Sequence, residues 1–169
     1  TAYEIRNCDW SSDVCSSDLK RIKVFDVPQE NRSSLVAAGM FNPFASKGVI
    51  KTWMANELFP YLHDFYPKVE ALLNTKFFFR QLIYRPFLSV AEQNDWIAKT
   101  NDVAIQPFVD ATYVKPAYSH QVHDPLGGIV ARKGGYLDTP AFLSAVRNWL
   151  MATDSLAVEH FDVDQINDT

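Results

Sequence analysis

Cysteine is almost missing from this chain. The only two, Cys8 and Cys15, fall within Thr1–Leu19, and Lys20 to Thr169 carries no thiol. That excludes a disulfide framework and any Cys-ligated metal over that stretch. Glycine is scarce as well: Gly39, Gly48, Gly127, Gly128, Gly134 and Gly135 are all there are. None falls in the G-x-G-x-x-G spacing of a dinucleotide-binding turn, and no G-x-S-x-G supports a hydrolase elbow. Gly127-Gly128 and Gly134-Gly135 read as turns or bulges rather than phosphate loops. No apolar run approaches about eighteen residues, so no membrane-spanning helix is expected. No basic-then-apolar secretory pattern is read at the N-terminus. Excess charge is lacking too: 16 Lys+Arg against 20 Asp+Glu gives −4. Neither nucleic acid nor an anionic membrane is supported as a partner.

What is there begins with an oddity. Cys8-Asp9-Trp10-Ser11-Ser12-Asp13-Val14-Cys15-Ser16-Ser17-Asp18-Leu19 matches a translated sequencing-library adapter, and Thr1-Ala2-Tyr3-Glu4-Ile5 matches the flow-cell end of the same adapter. Thr1–Leu19 is therefore expected to be a disordered artefact outside the fold. The rival reading is a genuine Ser/Asp-rich leader. This segment holds four acids (Glu4, Asp9, Asp13, Asp18) and one base (Arg6), which leaves 15 bases against 16 acids from Lys20 onward, a net charge of −1. That remainder is one domain's worth of chain. Twelve Phe, seven Tyr and four Trp can fill an ordinary core.

The stretch with the most chemical content is Ile22-Lys23-Val24-Phe25-Asp26 followed by Ser33-Ser34-Leu35-Val36-Ala37-Ala38-Gly39-Met40-Phe41-Asn42-Pro43-Phe44. A strand closed by an acid, then a small-residue segment, suits a dinucleotide site. The acid can accept from ribose hydroxyls, and Ser and Gly let backbone amides approach a pyrophosphate. A plain strand followed by a tightly packed helix start fits the same residues.

Asp26, the paired Ser33-Ser34, Ala37-Ala38-Gly39 and Asn42-Pro43 together resemble the second half of the FAD-binding entry unit in the D-amino-acid-oxidase-like (DAO) family of flavoproteins. Bacterial FAD-dependent oxidoreductases of that family are the nearest in pattern, and the similarity runs more loosely to the end of the chain. The resemblance implies an α/β fold: a partial Rossmann-like FAD-binding domain with an inserted antiparallel-sheet substrate domain. Residues 20–75 would belong to the FAD domain, 76–137 to the substrate domain, and 138–169 would return to the FAD domain. It implies FAD as cofactor, with Asp26 at the ribose and Ser33, Ser34, Ala38, Gly39 and Met40 along the pyrophosphate and flavin. Asn42 would lie near the flavin and Phe161 against the adenine. The implied activity is oxidation of a small-molecule amine or amino acid by hydride transfer to flavin, in a cytoplasmic enzyme. An amino-acid oxidase, an amine dehydrogenase and the oxidase part of a tRNA-modifying enzyme all stay open. The glycine fingerprint would lie upstream of Asp26 and the main substrate groups downstream, so this chain is expected to be a fragment, inactive alone, with no catalytic residue assignable. The alternative is a small α/β binding or interaction module without cofactor.

The rest reads as alternating elements, which argues for α/β independently. Lys20 to Asp26 reads as a strand. From Val49 a helical pattern puts Ile50, Trp53, Met54, Leu58, Leu62, Phe65, Val69 and Leu72 on one face. Pro60 and Pro67 predict either a kink or two helices, ending near Leu73-Asn74. Lys76 to Leu88 reads as one strand. Ser89 and Glu92 have capping-box spacing for a helix through Lys99, with Trp96 and Ile97 inward. Val103 to Val114 suggests short strands, Gly127 to Arg132 a strand, and Lys133-Gly134-Gly135 a turn. Thr139-Pro140 predicts an N-cap and first helical position, with Phe142, Ala145, Val146, Trp149 and Leu150 on one face. Leu156 to Val163 is a final strand. His120 and His123, three apart, lack a third ligand at convincing spacing, so zinc is not expected. His63 and His160 read as ordinary histidines. Arg80 and Arg85 have the chemistry to bind a carboxylate bidentately, although pairing with surface acids is the plainer reading.

Overall fold

The computed structural model describes residues 22–28, 32–44 and 49–161. Residues 1–19, expected to be an artefact, and residues 45–48 lie outside them. The architecture is mixed α/β, with helices, two antiparallel sheets and one parallel pair. The chain divides into two units: Thr1–Glu30 with Arg147–Thr169, and Asn31–Val146. The boundaries expected at 75/76 and 137/138 fall inside the second unit.

In the terminal unit, β1 (Val24–Phe25) runs parallel to β8 (Leu156–Ala157). Val24 N–H donates to Ser155 O at 2.7 Å and Asp26 N–H to Ala157 O at 3.0 Å. Both strands are shorter than the sequence suggests. Lys20 and Arg21 at one end, and Asp162 and Val163 at the other, lie outside the described residues. The rings of Phe25 and Phe161 meet at 5.0 Å.

The larger unit holds α1 (Ser33–Val36), β2 (Met40–Phe41), α2 (Ala55–Leu73), β3 (Phe78–Arg80), β4 (Ile83–Pro86), α3 (Val90–Lys99), β5 (Val109–Tyr113), β6 (Gly128–Ala131) and β7 (Gly135–Leu137). The last helix, α4 (Thr139–Ala152), begins in it. The sheet orders are β2-β7-β3 and β4-β6-β5, both antiparallel.

Lys76–Leu88, expected as one strand, is two strands in two sheets. Yet β3 pairs with β7 and β4 with β6, so residues 78–86 and 128–137 form one ribbon with a corner. At the corner Gln81 and Leu82 face three residues, Arg132, Lys133 and Gly134. The surplus residue is a bulge, and Lys133 absorbs it at φ +65°. Gln81 N–H closes the corner on Gly134 O at 3.0 Å.

Helix α2 corrects the expectation for its start. Ile50, Trp53 and Met54 precede it and are exposed, because Lys51 bridges to Phe44 and Met54 turns left-handed at φ +49°. Its two prolines leave it a single helix of 19 residues. Proline lacks an N–H, so Pro67 leaves the carbonyl four residues earlier, that of His63, without its helical donor. The helix ends at Asn74, also left-handed, which suits an amide side chain. On α3 the Ser89 side chain accepts from Glu92 N–H as the capping spacing predicts. Glu92 does not reach back to Ser89; it accepts from Leu88 N–H and from Arg85 at 2.6 Å. Trp96 is fully buried, but Ile97 is exposed. The segment before β5 is a turn of 3₁₀ helix, Gln106–Phe108. At α4 the cap is Asp138 rather than Thr139: its carboxylate accepts from Ala141 N–H at 3.0 Å. Trp149, expected on the inner face of this helix, is exposed.

The core lies under the β4-β6-β5 sheet. Phe44, Phe59, Phe87, Trp96, Phe108 and Ile129 are its large buried members. Edge-on ring contacts tie it together, Phe44 to Trp96 at 4.9 Å and Phe59 to Phe108 at 5.9 Å. A second aromatic group joins Phe41, Tyr66, Phe77, Phe78 and Phe142.

Candidate functional site

Asp26 stands at the end of β1, half-buried, where a ribose acceptor is expected. Its carboxylate accepts from the Arg147 guanidinium at 2.8 Å. This charge-assisted pair orients the carboxylate. Phe161 is in the same unit, packed on Phe25 beyond the last strand.

The other residues of the proposed cofactor segment belong to the larger unit. Ser33 and Ser34 open α1, and both are exposed, as is Ala38. Gly39 has φ +64°, and a Cβ built there would lie 1.9 Å from the Leu137 carbonyl oxygen. The glycine is thus required by the chain's own close packing, with Leu137 N–H donating to Gly39 O at 3.0 Å. Met40 enters β2 opposite Tyr136, with its side chain exposed. The Asn42 side chain accepts from Phe44 N–H at 3.1 Å, and Thr52 donates to the Asn42 carbonyl. Of the residues that FAD would need, Asp26 offers an oriented carboxylate, the chemistry a ribose hydroxyl requires. No glycine-rich pyrophosphate cradle exists among the described residues, and Gly39 and Asn42 have structural duties of their own.

A different constellation surrounds the ribbon corner. A cleft of about 660 Å³ opens there, with Pro60, His63, Arg80, Leu82, Lys133 and Gly134 on its walls. The carbonyl released by Pro67 is taken up here: Arg80 donates to His63 O at 2.8 Å. The His63 Nε2 is 3.0 Å from Lys133 O, which makes it the protonated nitrogen of the neutral ring, while Nδ1 is buried with no partner among the described residues. Burial, assisted by the Arg80 and Lys133 charges, outweighs the bond to Lys133 O and lowers the His63 pKa. The ring stays neutral, set edge-on against the stacked pair Phe41 and Phe78. Among the described residues no carboxylate pairs with Arg80 or Lys133. Arg85 differs, being paired with Glu92 and lying 5.8 Å from the Trp96 ring centre. Sequence reasoning singled out Arg80 but missed Lys133 and treated His63 as ordinary. The usable signal was the spacing of His63 and Pro67.

The third organised group is structural. Asp124 is buried and gathers four donors: Ala117 and Tyr118 N–H, Ser119 hydroxyl and Tyr84 hydroxyl, all within 2.9 Å. The Tyr118 amide leads the donors that overcome burial and hold this carboxyl well below the usual range. It pins the loop that follows β5. His120 and His123 on that loop are exposed. Among the described residues no group of three His, Cys, Asp or Glu could hold a metal ion, and no helix is long and apolar enough to cross a membrane.

No protein-family model matches the chain, and no solved structure matches it significantly.

Proposed function

We propose that this chain is part of an FAD-dependent oxidoreductase of the DAO-like type, acting on a small amine or amino acid. One observation carries the reading: the succession along the sequence of Asp26, Ser33-Ser34, Ala38-Gly39-Met40 and Asn42-Pro43. Its acid closes a strand and is held in a fixed orientation by Arg147. Asp26 would accept a ribose hydroxyl, and Ser33, Ser34, Ala38, Gly39 and Met40 would follow the pyrophosphate and flavin mainly through backbone groups. Asn42 would face the flavin and Phe161 the adenine. The flavin would supply the hydride acceptor; this chain contributes binding and orientation.

The decisive test is to sequence the source locus ahead of Lys20. A strand with G-x-G-x-x-G in frame supports the flavoenzyme. Native coding sequence for Thr1–Leu19, or no fingerprint upstream, overturns it. A cofactor-free α/β binding module is the second reading. It is favoured by the internal duties of Gly39 and Asn42, which need no ligand to explain them.

A further inference from the structure

The cleft at the ribbon corner has the make-up of an anion site, and its features stand independently of any flavin. Its charge comes from Arg80 and Lys133, unpaired with acids among the described residues. Asp64, next to His63 in the chain, pairs with Lys68 at 2.7 Å, and Glu70 lines an adjoining cleft with Arg80. Glu70 is spent on Lys76 at 2.7 Å and on the Phe77 and Phe78 amides at 2.8 and 2.6 Å. Arg80 is also oriented in advance. One of its five donors is fixed on the carbonyl that Pro67 releases, so little side-chain freedom remains to be lost on binding. The bulge places Lys133 and Gly134 opposite, and bulges commonly re-aim side chains beside sites.

We propose that this cleft binds a small organic monocarboxylate, its carboxylate on the Arg80 fork and its apolar body against Pro60 and Leu82. The planar guanidinium matches a carboxylate with two parallel donors. The neutral His63 ring adds an uncharged wall, and Lys133, whose ammonium lies 4.8 Å from the centre of the Phe108 ring, adds longer-range attraction. The apolar walls suit a ligand with a hydrocarbon part better than a compact, fully hydrated anion.

The test is amide NMR of the full ¹⁵N-labelled chain, titrated with hexanoate and, separately, with inorganic phosphate at constant ionic strength. Hexanoate is expected to shift the His63, Gln81, Lys133 and Gly134 amides along saturable curves. Arg80→Gln should weaken it by about 10-fold or more, the loss of a charge-assisted pair. Lys133→Met, an exposed change that keeps the fold, should weaken it less, by about 2- to 5-fold. Peak dispersion in the same spectra reports whether each variant is folded. Non-saturating shifts in the wild-type chain would overturn the assignment. So would an affinity unchanged in both variants, or phosphate binding as tightly as hexanoate.

Discussion

Replacing Gly39 by alanine separates two explanations of why a glycine is there. If it serves only the approach of a cofactor, the unliganded protein will tolerate a methyl group. The structure says otherwise. Alanine at φ +64° costs about 1–2 kcal/mol in backbone conformation. Its Cβ would sit 1.9 Å from the Leu137 oxygen, so β2 and β7 must part. That endangers the Leu137 N–H to Gly39 O bond, worth about 1 kcal/mol net. The expected loss is about 2–4 kcal/mol in the absence of any flavin. For a unit of this size that lowers the melting temperature by roughly 8–20 °C. Scanning calorimetry or a circular-dichroism melt reads it directly. A Gly39→Ala protein melting within about 2 °C of wild type would refute the packing explanation.

Four further outcomes are expected. Lys133→Gly should stabilise the protein by about 0.5–1 kcal/mol in urea unfolding, because glycine bears the left-handed corner without strain. Ser89→Ala should cost about 1 kcal/mol by the same measurement, through loss of the α3 cap. Burial pushes the Glu70 carboxyl up, but Lys76 and the Phe78 and Phe77 amides outweigh it and hold it below its ordinary 4.5. Its contribution is therefore full above pH 4.5 and lost as pH falls through the lower folded value; Glu70→Gln should flatten that part of the acid limb in melts against pH. Tyr84 is pushed up to about 12, by burial first and then by its bond to Asp124. Its contribution is present below pH 10 and lost as pH rises through 12, so phenolate absorbance of Tyr84→Phe should lack one late-ionising tyrosine.

Elements set by local chemistry were legible in the sequence. The Ser89 cap, the end of α2 near Leu73, the burial of Trp96 and the strand at Gly128–Ala131 follow from local pattern and capping. The buried side of α2 does not, since Ala55 and Phe59 are buried while Leu58 and Leu72 of the expected face are exposed. What was not legible depends on distant partners. Lys76–Leu88 has continuous strand propensity, and only its pairing with residues 128–137 reveals the break. Asp138 outcompetes Thr139 as a cap because its N–H is already anchored on Phe77 O at 2.8 Å. At the site, the place of Asp26 beyond a strand was readable, but not its pairing with Arg147, 121 residues away. Arg80 drew notice as a cation; its anchoring depends on a proline in another element.

The corner of the ribbon makes this chain sensitive to the parity of insertions and deletions. From Arg80 to Ile83 one strand advances an odd number of residues, while from Gly135 to Ala131 its partner advances an even number. Loss of a single residue within Arg132–Gly134 would equalise the two and let both sheets fuse into one straight ladder, erasing the cleft. Loss of two would keep a mismatch, with the surplus moved to the opposite strand. Relatives of this protein that vary in length here should therefore differ in steps of two if they keep the corner.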